Sequence, residues 1–340
     1  MTRRMDEMYE GKKILITGGT GTIGYHLTRR LLRENPAVIR IFSRDEYKQF
    51  NMSLDFRDYA GKLRFLIGDV RDEQRLLRAM EDIDYVFHLA AMKHVPACEY
   101  NPFEAVKTNV VGTQNVIQAA IVTGVKKVLF TSSDKAIAPT NTYGATKLTG
   151  ERLIAAAELQ KGPRDIVFHA VRFGNVMGSR GSVIPLFKEQ ILARRAITVT
   201  DPEMKRYMMT PSQAINLMLK ANELARGGEV FVLKMPIVRL GDLAEVVVEE
   251  MVQEHNISER VNIEVIGVRP GEKMQEELMT QEEQKIALET DNMYILPSVF
   301  VDKHHHYPGV LSTGTANQPD QNPIDKELLR RWIREEQLIR

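Results

Sequence analysis

Tyr143 and Lys147 have the residue types and the spacing that proton transfer from a hydroxyl group requires. If a helix begins at Tyr143, residues four apart share one face of it, and the ammonium group of Lys147 lies beside the phenol. A neighbouring positive charge favours the phenolate and lowers a tyrosine pKa that is ordinarily near 10. Tyr143 can then remove a proton from a bound alcohol. The same spacing is common on solvated helix faces, so this interpretation depends on the surrounding fold.

A glycine-rich turn near the N-terminus indicates the partner in that chemistry. The segment ILITGGTGTIG has Gly18, Gly21 and Gly24 between a buried strand and a helix, which is the context of a dinucleotide-binding fingerprint. Glycine lets the backbone approach a pyrophosphate, and the helix N-terminus adds unpaired amides and a positive dipole end. A tight turn alone uses the same residue, but this context favours a nicotinamide cofactor. Hydride can then leave for it as Tyr143 takes the proton.

The end of the second predicted strand favours NADP over NAD. An NAD enzyme commonly has an acidic residue there, whereas this chain has Ser43, Arg44 and Asp45, with Lys48 one helical turn later. A 2′-phosphate suits Ser43, Arg44 and Lys48, and we expect Asp45 to cap the following helix. The alternative is a solvated charged turn. Ligands of such folds bind at the carboxyl ends of the strands, so we expect cofactor contacts from Gly18, Thr20, Gly21, Thr22, Ile23, Gly24, Ser43, Arg44, Lys48, Asp69, Val70, Ala90, Ala91, Lys93, Tyr143 and Lys147.

Alternating strands and helices must position these residues. Short apolar runs typical of strands buried on both faces are KKILITGG, IRIFSRD, LRFLIGDV, DYVFHLAA, KKVLFTSSD, IVFHAVRFGNV and GEVFVLK. Segments of helical period are Gly24 to Glu34, Pro102 to Thr123, Tyr143 to Leu159 and Pro211 to Leu224. The alternation predicts an α/β fold, a Rossmann-type doubly wound parallel sheet with a smaller, interleaved C-terminal substrate domain.

After Asn175 the strand and helix patterns no longer alternate regularly, and this change predicts the domain bounds. We expect an NADP-binding Rossmann domain over residues 11–175 plus about 211–235, because Gly228 to Lys234 is typical of a strand that returns to the first sheet. A substrate-binding domain is expected over 176–210 and 236–295. Residues 296–340 form a C-terminal extension that ends in a charged helix, Asp325 to Glu336.

Composition restricts the class of protein. A chain of 340 residues that is 43% apolar can bury a substantial core and is expected to have two lobes. Its formal charge of +1 gives no long-range field for nucleic acid or a membrane, and we expect neither as a partner. We expect neither a signal peptide nor a membrane-spanning run, so the expected location is the cytoplasm.

Cysteine and histidine usage predicts no metal site. The single cysteine, Cys98, excludes a disulfide framework and a cysteine-based zinc site, and we expect it to be a small buried side chain. His304, His305 and His306 are consecutive, so their imidazoles cannot easily converge on one ion, and a solvated loop is favoured. His88 lies within a predicted strand and is expected in the core.

The glycine fingerprint, the Tyr143 and Lys147 pair and the preceding hydroxyl residue resemble the extended short-chain dehydrogenase/reductase family. Segments that further resemble the UDP-N-acetylglucosamine 4,6-dehydratases of bacterial surface-polysaccharide and flagellin-sugar biosynthesis are AAMKHVPACEYNPFEAVKTNVVGTQNV, SSDKAIAPTNTYGATKL, FGNVMGSRGSVIPLF and GVRPGEKMQEEL. The resemblance runs from about Lys12 to Glu277. It implies NADP held tightly through the cycle, inversion at carbon 5, and a homo-oligomer, from a dimer up to a hexamer.

The resemblance also implies catalytic roles. Elimination of water needs a base at carbon 5 and an acid at the carbon 6 hydroxyl, which epimerisation does not. Lys135, with a pKa lowered by desolvation, is the implied base, and Asp134 is the implied acid. Tyr143 is the implied base for the carbon 4 hydroxyl, with Lys147 as its activator, while hydride passes from carbon 4 to NADP and later returns from NADPH to carbon 6. Taken singly, Asp134 could be a helix cap and Lys135 a solvated lysine.

A UDP-sugar brings a diphosphate, which suits the planar, bidentate guanidinium group. The segment from Arg269 to Glu272 resembles the family's uridine-diphosphate segment, in which the arginine meets phosphate and the glutamate meets ribose. The expected substrate contacts are Lys93, Ser133, Asn175, Arg180, Ser182, Arg206, Arg269 and Glu272. Ser133 stands where the family commonly has threonine and keeps the hydroxyl. Where relatives typically have MTRFW, residues 204–208 are MKRYM, so Arg206 is kept and the tryptophan is absent; Met208 and Met209 are expected to fill the core.

Two alternatives remain open from the sequence. A nucleotide-sugar 4-epimerase would use Tyr143 without elimination, and Lys135 argues against it. A non-catalytic NADP-sensing binding protein is the other, since this fold also serves regulation. Such a protein has no need of Asp134, Lys135, Tyr143 and Lys147 together.

Overall fold

The computed structural model describes residues 8–298, 300, 307–313 and 322–339. The strands are β1 (Lys13–Thr17), β2 (Val38–Ser43), β3 (Leu63–Ile67), β4 (Tyr85–His88), β5 (Lys127–Thr131), β6 (Val167–Arg172), β7 (Asn175–Val176), β8 (Ala196–Val199), β9 (Lys205–Met209), β10 (Val230–Leu233), β11 (Ile237–Arg239), β12 (Asn262–Val265), β13 (Leu288–Glu289), β14 (Met293–Leu296) and β15 (Ser312–Thr313). The α-helices are α1 (Thr22–Leu32), α2 (Glu46–Asp55), α3 (Glu73–Met80), α4 (Val95–Tyr100), α5 (Pro102–Val106), α6 (Gly112–Thr123), α7 (Thr142–Gln160), α8 (Val183–Arg194), α9 (Pro211–Leu224), α10 (Leu240–Glu254), α11 (Gln281–Ile286) and α12 (Lys326–Glu335).

The largest sheet has the strand order β15-β13-β14-β10-β6-β5-β4-β1-β2-β3. From β10 to β3 every neighbouring pair is parallel, and β14, β13 and β15 add an antiparallel edge. The predicted doubly wound parallel sheet is therefore confirmed. The chain winds outward in both directions from β1 and β4, so a crevice opens at their carboxyl ends, where this fold binds ligands.

Side chains alternate between two cores along the central strands. In β1, Ile14 and Ile16 enter the core that α1 and α9 cover, and Leu15 enters the core that α3 and α6 cover. All three are fully buried, and burying such a side chain contributes roughly 1.5–3 kcal/mol. Burial on both faces explains why the strand is apolar at successive positions instead of at every second one.

The chain returns to the first sheet after leaving it. The predicted return strand is β10, which pairs in parallel with β6. We expected residues 288–295 in the substrate domain and Leu296 in the C-terminal extension, but β13 and β14 lie in this stretch and extend the same sheet from β10. The pairing explains the difference, because the exposed edge of β10 offers hydrogen-bonding groups that sequence periodicity cannot locate. The division into domains remains a proposal, with 288–296 now assigned to the first sheet.

A third core lies in the second lobe. Phe187 of α8, Met208 of β9 and Leu243 of α10 pack together there, and α12 adds Leu329 and Trp332. The predicted C-terminal helix is thus observed, and it packs on α10 of this lobe. Of the helices described, none combines the length and the apolar character that a membrane span needs.

Candidate active site

The glycine-rich turn is shaped by close backbone contacts. Gly18 has φ of +66°, and a Cβ there would lie 2.8 Å from the backbone of Ala90. A Cβ at Gly24 would lie 2.4 Å from the carbonyl oxygen of Gly19. Gly21 is the N-cap residue of α1 and has no side chain that could accept a hydrogen bond. The first amides of α1 therefore have no capping side chain as partner. The turn therefore offers backbone donors to an anion.

A cavity of about 800 Å³ opens over this turn. Of the predicted cofactor residues it is lined by Gly18, Thr20, Gly21, Thr22, Ile23, Gly24, Ser43, Arg44, Lys48, Asp69, Val70, Ala90, Ala91 and Lys93. The structure brings these residues together, while Tyr143 and Lys147 lie outside the lining. Lining residues that the sequence analysis missed are Phe42, Asp45, Gly68, Leu89, Thr108 and Ser179. Phe42, Gly68 and Leu89 flank predicted strand ends and could have been included; Thr108 and Ser179 carried no such signal.

Arg44 and Lys48, expected at a 2′-phosphate, lie beside acidic side chains. Asp45 accepts a hydrogen bond from the Lys48 amide at 2.9 Å and caps α2, as predicted, and the Lys48 ammonium also donates to it. These hydrogen bonds hold the pKa of Asp45 below its ordinary value. Arg44 Nη1 lies 3.6 Å from Asp69 Oδ2, and the arginine side chain is 59% exposed. A 2′-phosphate can therefore bind Arg44 and Lys48, but it must compete for them with the carboxylates of Asp69 and Asp45.

The segment after β5 carries the predicted acid and base. Asp134 donates its backbone amide to Phe173 O at 3.1 Å, which keeps the segment beside β6. Its side chain is fully buried, and Oδ1 accepts from Ser133 Oγ at 2.9 Å and Lys135 Nζ at 3.1 Å. Asp134 Oδ2 has no hydrogen-bond partner within the described residues and lies 2.9 Å from where a Cβ at Gly174 would be. This oxygen therefore keeps a hydrogen-bonding capacity that no described residue uses.

Lys135 differs from the expectation in its charge. Burial lowers the pKa of Lys135, as the sequence analysis assumed, but the carboxylates of Asp134 and Glu276 and the phenol of Tyr143 outweigh it. The pKa is therefore raised above its ordinary value, and the expected lowered pKa is wrong for the ligand-free protein. Lys135 is an ammonium group that lies 3.1 Å from Asp134 Oδ1 and 3.7 Å from Glu276 Oε1.

Tyr143 and Lys147 stand on the first turns of α7. Asn141 caps this helix by accepting from the Gly144 amide at 2.8 Å. Burial raises the pKa of Tyr143 above its ordinary value. The hydrogen bond with Ser133 and the charge of Lys135 lower this pKa, but burial outweighs them. We expected Lys147 to lower this pKa below 10, and that expectation is wrong for the ligand-free protein.

The position of Lys147 explains the difference. Lys147 Nζ donates to the carbonyl oxygen of Thr131 at 2.7 Å and lies 4.6 Å from the ring centroid of Phe130. Burial lowers the pKa of Lys147 to about 7. The amine is thus directed to the end of β5, and Ser133 and Lys135 are the groups that favour the Tyr143 phenolate.

Glu276 is a buried acid that the sequence analysis did not single out. It lies in the quoted segment GVRPGEKMQEEL, but adjacent Glu277 has the same residue type and is exposed. The neighbouring bridge between Lys205 and Gln275 sets this segment beside β9. Burial and the charge of Asp134 raise the pKa of Glu276, while Lys135 lowers it. Nothing in the local sequence separates the two glutamates.

The predicted substrate residues divide between two places. Arg206 lies within electrostatic reach of Asp134, Glu272 and Glu276, and its guanidinium donates to Met274 O at 3.1 Å. Glu272 Oε1 lies 3.9 Å from exposed Arg269. Arg206 and the Arg269 segment therefore lie on the side of the acid and base.

Other predicted substrate residues lie at the second lobe's junction with the cofactor cavity. Arg180 lines the cavity. Its guanidinium group donates to Thr20 O, and its backbone amide donates to Thr22 Oγ1 at 3.0 Å. Lys93 Nζ donates to Ser179 Oγ at 3.4 Å. Ser182 Oγ is buried without a hydrogen-bond partner in the described chain, and Asn175 begins β7.

The residues that we expected in the core and that the structure describes are buried. His88 is buried between Thr17 Oγ1 at 2.7 Å and Thr113 Oγ1 at 3.0 Å, and burial lowers its pKa to about 3. Met208, Met209 and Cys98 are also buried. The described residues contain no group of three or more potential ligands for a metal. His304, His305 and His306 lie outside them.

Comparison with known proteins identifies the family. The model of the family described as polysaccharide biosynthesis protein matches residues 14–298. UDP-N-acetylglucosamine 4,6-dehydratase (inverting) from Campylobacter jejuni is 41% identical over 95% of this chain and 97% of that protein. UDP-glucose 4-epimerase from Rickettsia prowazekii is 42% identical over 85% of this chain and 84% of that protein. The resemblance stated from the motifs is thereby confirmed.

Two further relatives cover almost the whole chain. One from Methanocaldococcus jannaschii, named as an uncharacterized membrane protein, is 46% identical over 98% of this chain and 99% of that protein. The X-ray structure of Pen from Bacillus thuringiensis is 53% identical, with a TM-score of 0.91, and covers 98% of this chain and 100% of that one. Together with the family match, these identities show that the chain belongs to the polysaccharide biosynthesis protein family.

Proposed function

We propose that this chain is an NADP-dependent UDP-N-acetylglucosamine 4,6-dehydratase that inverts carbon 5 of the sugar. The observation that carries the proposal is the ion pair of buried Asp134 and half-buried Lys135 beside Tyr143, on the same edge of the sheet as the glycine-rich turn. The Campylobacter jejuni relative of that name supports the same reaction. The product is a UDP-4-keto-6-deoxy-N-acetylhexosamine.

The crevice fits a dinucleotide. The backbone contacts at Gly18 and Gly24 exclude side chains there, and buried Thr108 Oγ1 faces the cavity lining without a partner among the described residues. The residues that line the crevice would hold the dinucleotide, and its nicotinamide ring would supply the redox chemistry by taking hydride from carbon 4 of the sugar and giving it back at carbon 6. Ser43, Arg44 and Lys48 favour NADP over NAD, because each can donate to a 2′-phosphate.

Tyr143 is the group assigned to the carbon 4 hydroxyl. Ser133 and Lys135 favour its phenolate, and burial opposes it, so the phenolate is a strong base once it forms. Proton transfer to Tyr143 accompanies the loss of hydride from carbon 4. The resulting ketone makes the carbon 5 proton acidic, which prepares the elimination.

Asp134 and Lys135 supply the acid and the base of that elimination. Neutral Lys135 takes the carbon 5 proton, the C–H electron pair forms the double bond to carbon 6, and protonated Asp134 gives its proton to the departing hydroxyl. Movement of one proton from Lys135 Nζ to Asp134 Oδ1, 3.1 Å apart, prepares both roles at once. After water leaves, the pair is again an ammonium and a carboxylate. Return of the hydride to carbon 6 and a proton that carbon 5 takes from solvent on the opposite face would complete the inversion.

The second lobe is assigned to the nucleotide diphosphate. Arg206 and Arg269 can bind phosphate oxygens, and Glu272 can accept from ribose. Asn175 and Ser182 are assigned to polar contacts with the sugar nucleotide, and Lys93 is assigned to both sugar and cofactor. Arg180, expected at the substrate, contacts the glycine-rich turn, so we assign it to the cofactor as well.

The epimerase remains the second candidate, because the Rickettsia prowazekii relative of that name has similar identity. An epimerase needs no base at carbon 5, whereas this site holds the amine of Lys135 between two buried carboxylates. A non-catalytic NADP sensor has no use for that cluster either. The proposal also keeps the UDP-sugar as partner molecule, a homo-oligomeric assembly and a cytoplasmic location.

Purified protein incubated with UDP-N-acetylglucosamine in deuterated water tests the reaction. We expect NMR spectra to show a 6-deoxy-4-keto sugar with deuterium at carbon 5 and the inverted configuration there. Lys135→Ala should reduce elimination by a factor of about 10² or more, since general base catalysis contributes roughly that much, and leave NADP affinity nearly unchanged. Lys126→Ala, which changes an exposed lysine at the other end of β5, is the control.

A change of configuration at carbon 4 alone would show an epimerase. Normal dehydration by Lys135→Ala would mean that the base is assigned wrongly.

A further inference from the structure

Glu276 lies in the segment 271–278, and hydrogen bonds hold this segment on both sides of Glu276. Gly271 O accepts from Thr140 Oγ1 at 3.0 Å and Asn141 Nδ2 at 3.2 Å, which fixes the segment against the cap of α7. Lys273 Nζ donates to Ile137 O at 2.9 Å. Beyond Glu276, Leu278 O accepts from buried Arg172 at 3.0 Å. These contacts hold the Glu276 backbone in one place.

The Glu276 side chain faces the predicted base. It is 4% exposed, and its Oε1 lies 3.7 Å from Lys135 Nζ, which also contacts Asp134 Oδ1 at 3.1 Å. Two buried carboxylates therefore share one ammonium group. The mechanism proposed above uses only Asp134, and it gives Glu276 no role.

We infer that Glu276 is a positioning residue for Lys135: with Asp134 it holds the amine between two carboxylates and keeps it protonated while the site is empty. This inference rests on the proposed dehydratase function for its catalytic meaning. The base then becomes available only when this balance of charges changes. Glu276 thus determines the pH at which Lys135 becomes neutral.

The other charged groups around the pair set the direction of the effect. Asp134 and Tyr143 act with Glu276 to raise the pKa of Lys135, and burial acts against all three. On the side of Glu276, Arg206 of β9 and Lys273 of the same segment favour its carboxylate. Removing the Glu276 charge leaves Lys135 with burial and one fewer carboxylate, so its proton should leave at lower pH.

Direct titration of Lys135 tests the inference without any substrate. Protein with ¹³C at the lysine ε-carbon is titrated by NMR, and Lys135→Arg identifies the resonance. In Glu276→Gln we expect the titration midpoint of Lys135 to fall by at least about one pH unit, the effect of a carboxylate within a few ångströms. Glu276→Asp keeps the charge and should recover part of the shift. Glu277→Gln, which changes the adjacent exposed glutamate, should leave the midpoint unchanged.

The same variants give a kinetic test. The profile of kcat/KM against pH reports groups of the free enzyme, and the proposed elimination needs the proton that Lys135 shares with Asp134. The fall of the profile as Lys135 loses this proton to solvent should therefore begin at lower pH in Glu276→Gln, whatever the maximal rate. A purely structural defect would lower the rate without moving the profile. An unchanged NMR midpoint in Glu276→Gln would overturn the inference. A shifted midpoint in a protein that does not dehydrate UDP-N-acetylglucosamine would instead contradict the proposed function alone.

Discussion

The amines of Lys135 and Lys147 show how burial and partners decide charge at the level of single residues. The Lys147 side chain is buried and that of Lys135 is only 19% exposed, yet the pKa of Lys135 is raised and that of Lys147 is lowered to about 7. Lys135 has carboxylates at 3.1 and 3.7 Å, whereas Lys147 donates to a neutral carbonyl oxygen. Desolvation penalises both ammonium groups, and only Lys135 has charged partners close enough to compensate.

Lys147 should therefore make stability depend on pH. Its folded pKa lies below the unfolded value near 10.4, so the unfolded chain binds more protons between these values and stability rises with pH across that window. We expect the free energy of unfolding of the unaltered protein to rise, relative to Lys147→Met, by up to about 1.4 kcal/mol per pH unit from about pH 7 upward. Urea unfolding of the ligand-free proteins between pH 6.5 and 9 measures the difference.

Lys161→Met provides the comparison, because Lys161 lies at the other end of α7 and pairs with Glu158. If the stability difference between the unaltered protein and Lys147→Met stayed constant over this range, Lys147 would not carry the lowered pKa.

At the scale of elements, one buried ion cluster joins β6, α7 and α11. Arg172 makes two hydrogen bonds to Glu151 at 2.9 and 2.7 Å and two to Glu283 at 2.9 Å. Glu283 also completes the capping box of α11 with Thr280. The cluster thereby fixes the chain just beyond Glu276 to the helix that carries Tyr143.

Arg172→Met should destabilise the protein strongly. The change leaves two carboxylates without their cation, and breaking a buried pair in this way costs about 3–5 kcal/mol. Arg172→Lys should recover only part of the loss, because an ammonium cannot reproduce four hydrogen bonds of a planar group. Arg164→Met, at an exposed site before β6, should change the free energy of unfolding by less than about 0.5 kcal/mol. A small loss in Arg172→Met, measured by urea unfolding, would show that the cluster is not stabilising.

The elements that the sequence predicted are those with long apolar periodicity. The strands β1 to β6 and β10 and the helices α1, α7 and α9 follow from runs that each element carries itself. Pairs of short strands were not predictable: β7 has two residues and pairs with β9 across more than thirty residues of chain. Such pairing depends on the folded neighbour and leaves no local pattern.

The predicted helix from Pro102 to Thr123 also contains a feature that the local sequence pattern did not predict. A π-helical turn, Lys107–Val111, interrupts it between α5 and α6. Thr108 of this turn lines the cofactor cavity, and Asn109 Nδ2 donates to Thr146 Oγ1 on α7 at 2.9 Å. Because the inserted residue changes the phase of the helix, helical periodicity could not place Thr108 at the site. Glu276 escaped prediction for a related reason, since tertiary packing alone distinguishes it from Glu277.

At the scale of the whole molecule, the cofactor cavity joins the two lobes. The glycine-rich turn belongs to the first sheet, while Ser179 and Arg180 reach the cavity from the segment after β7. The Arg180 amide donates to Thr22 Oγ1 at 3.0 Å across this junction. A ligand in the cavity therefore contacts both lobes, and its binding free energy should stabilise them together.

Cofactor choice can be measured through this stabilisation. We expect NADP at one hundred times its Kd to stabilise the protein by about 2.7 kcal/mol, and NAD at the same concentration to stabilise it less. Arg44→Ala should remove about 1.5–3 kcal/mol of binding to the 2′-phosphate and leave the effect of NAD unchanged, because NAD has no such phosphate. Arg57→Ala, which changes an exposed arginine after α2, should alter neither. Thermal unfolding with each cofactor gives the comparison, and equal stabilisation of the unaltered protein by NAD and NADP would contradict the assignment of Ser43, Arg44 and Lys48.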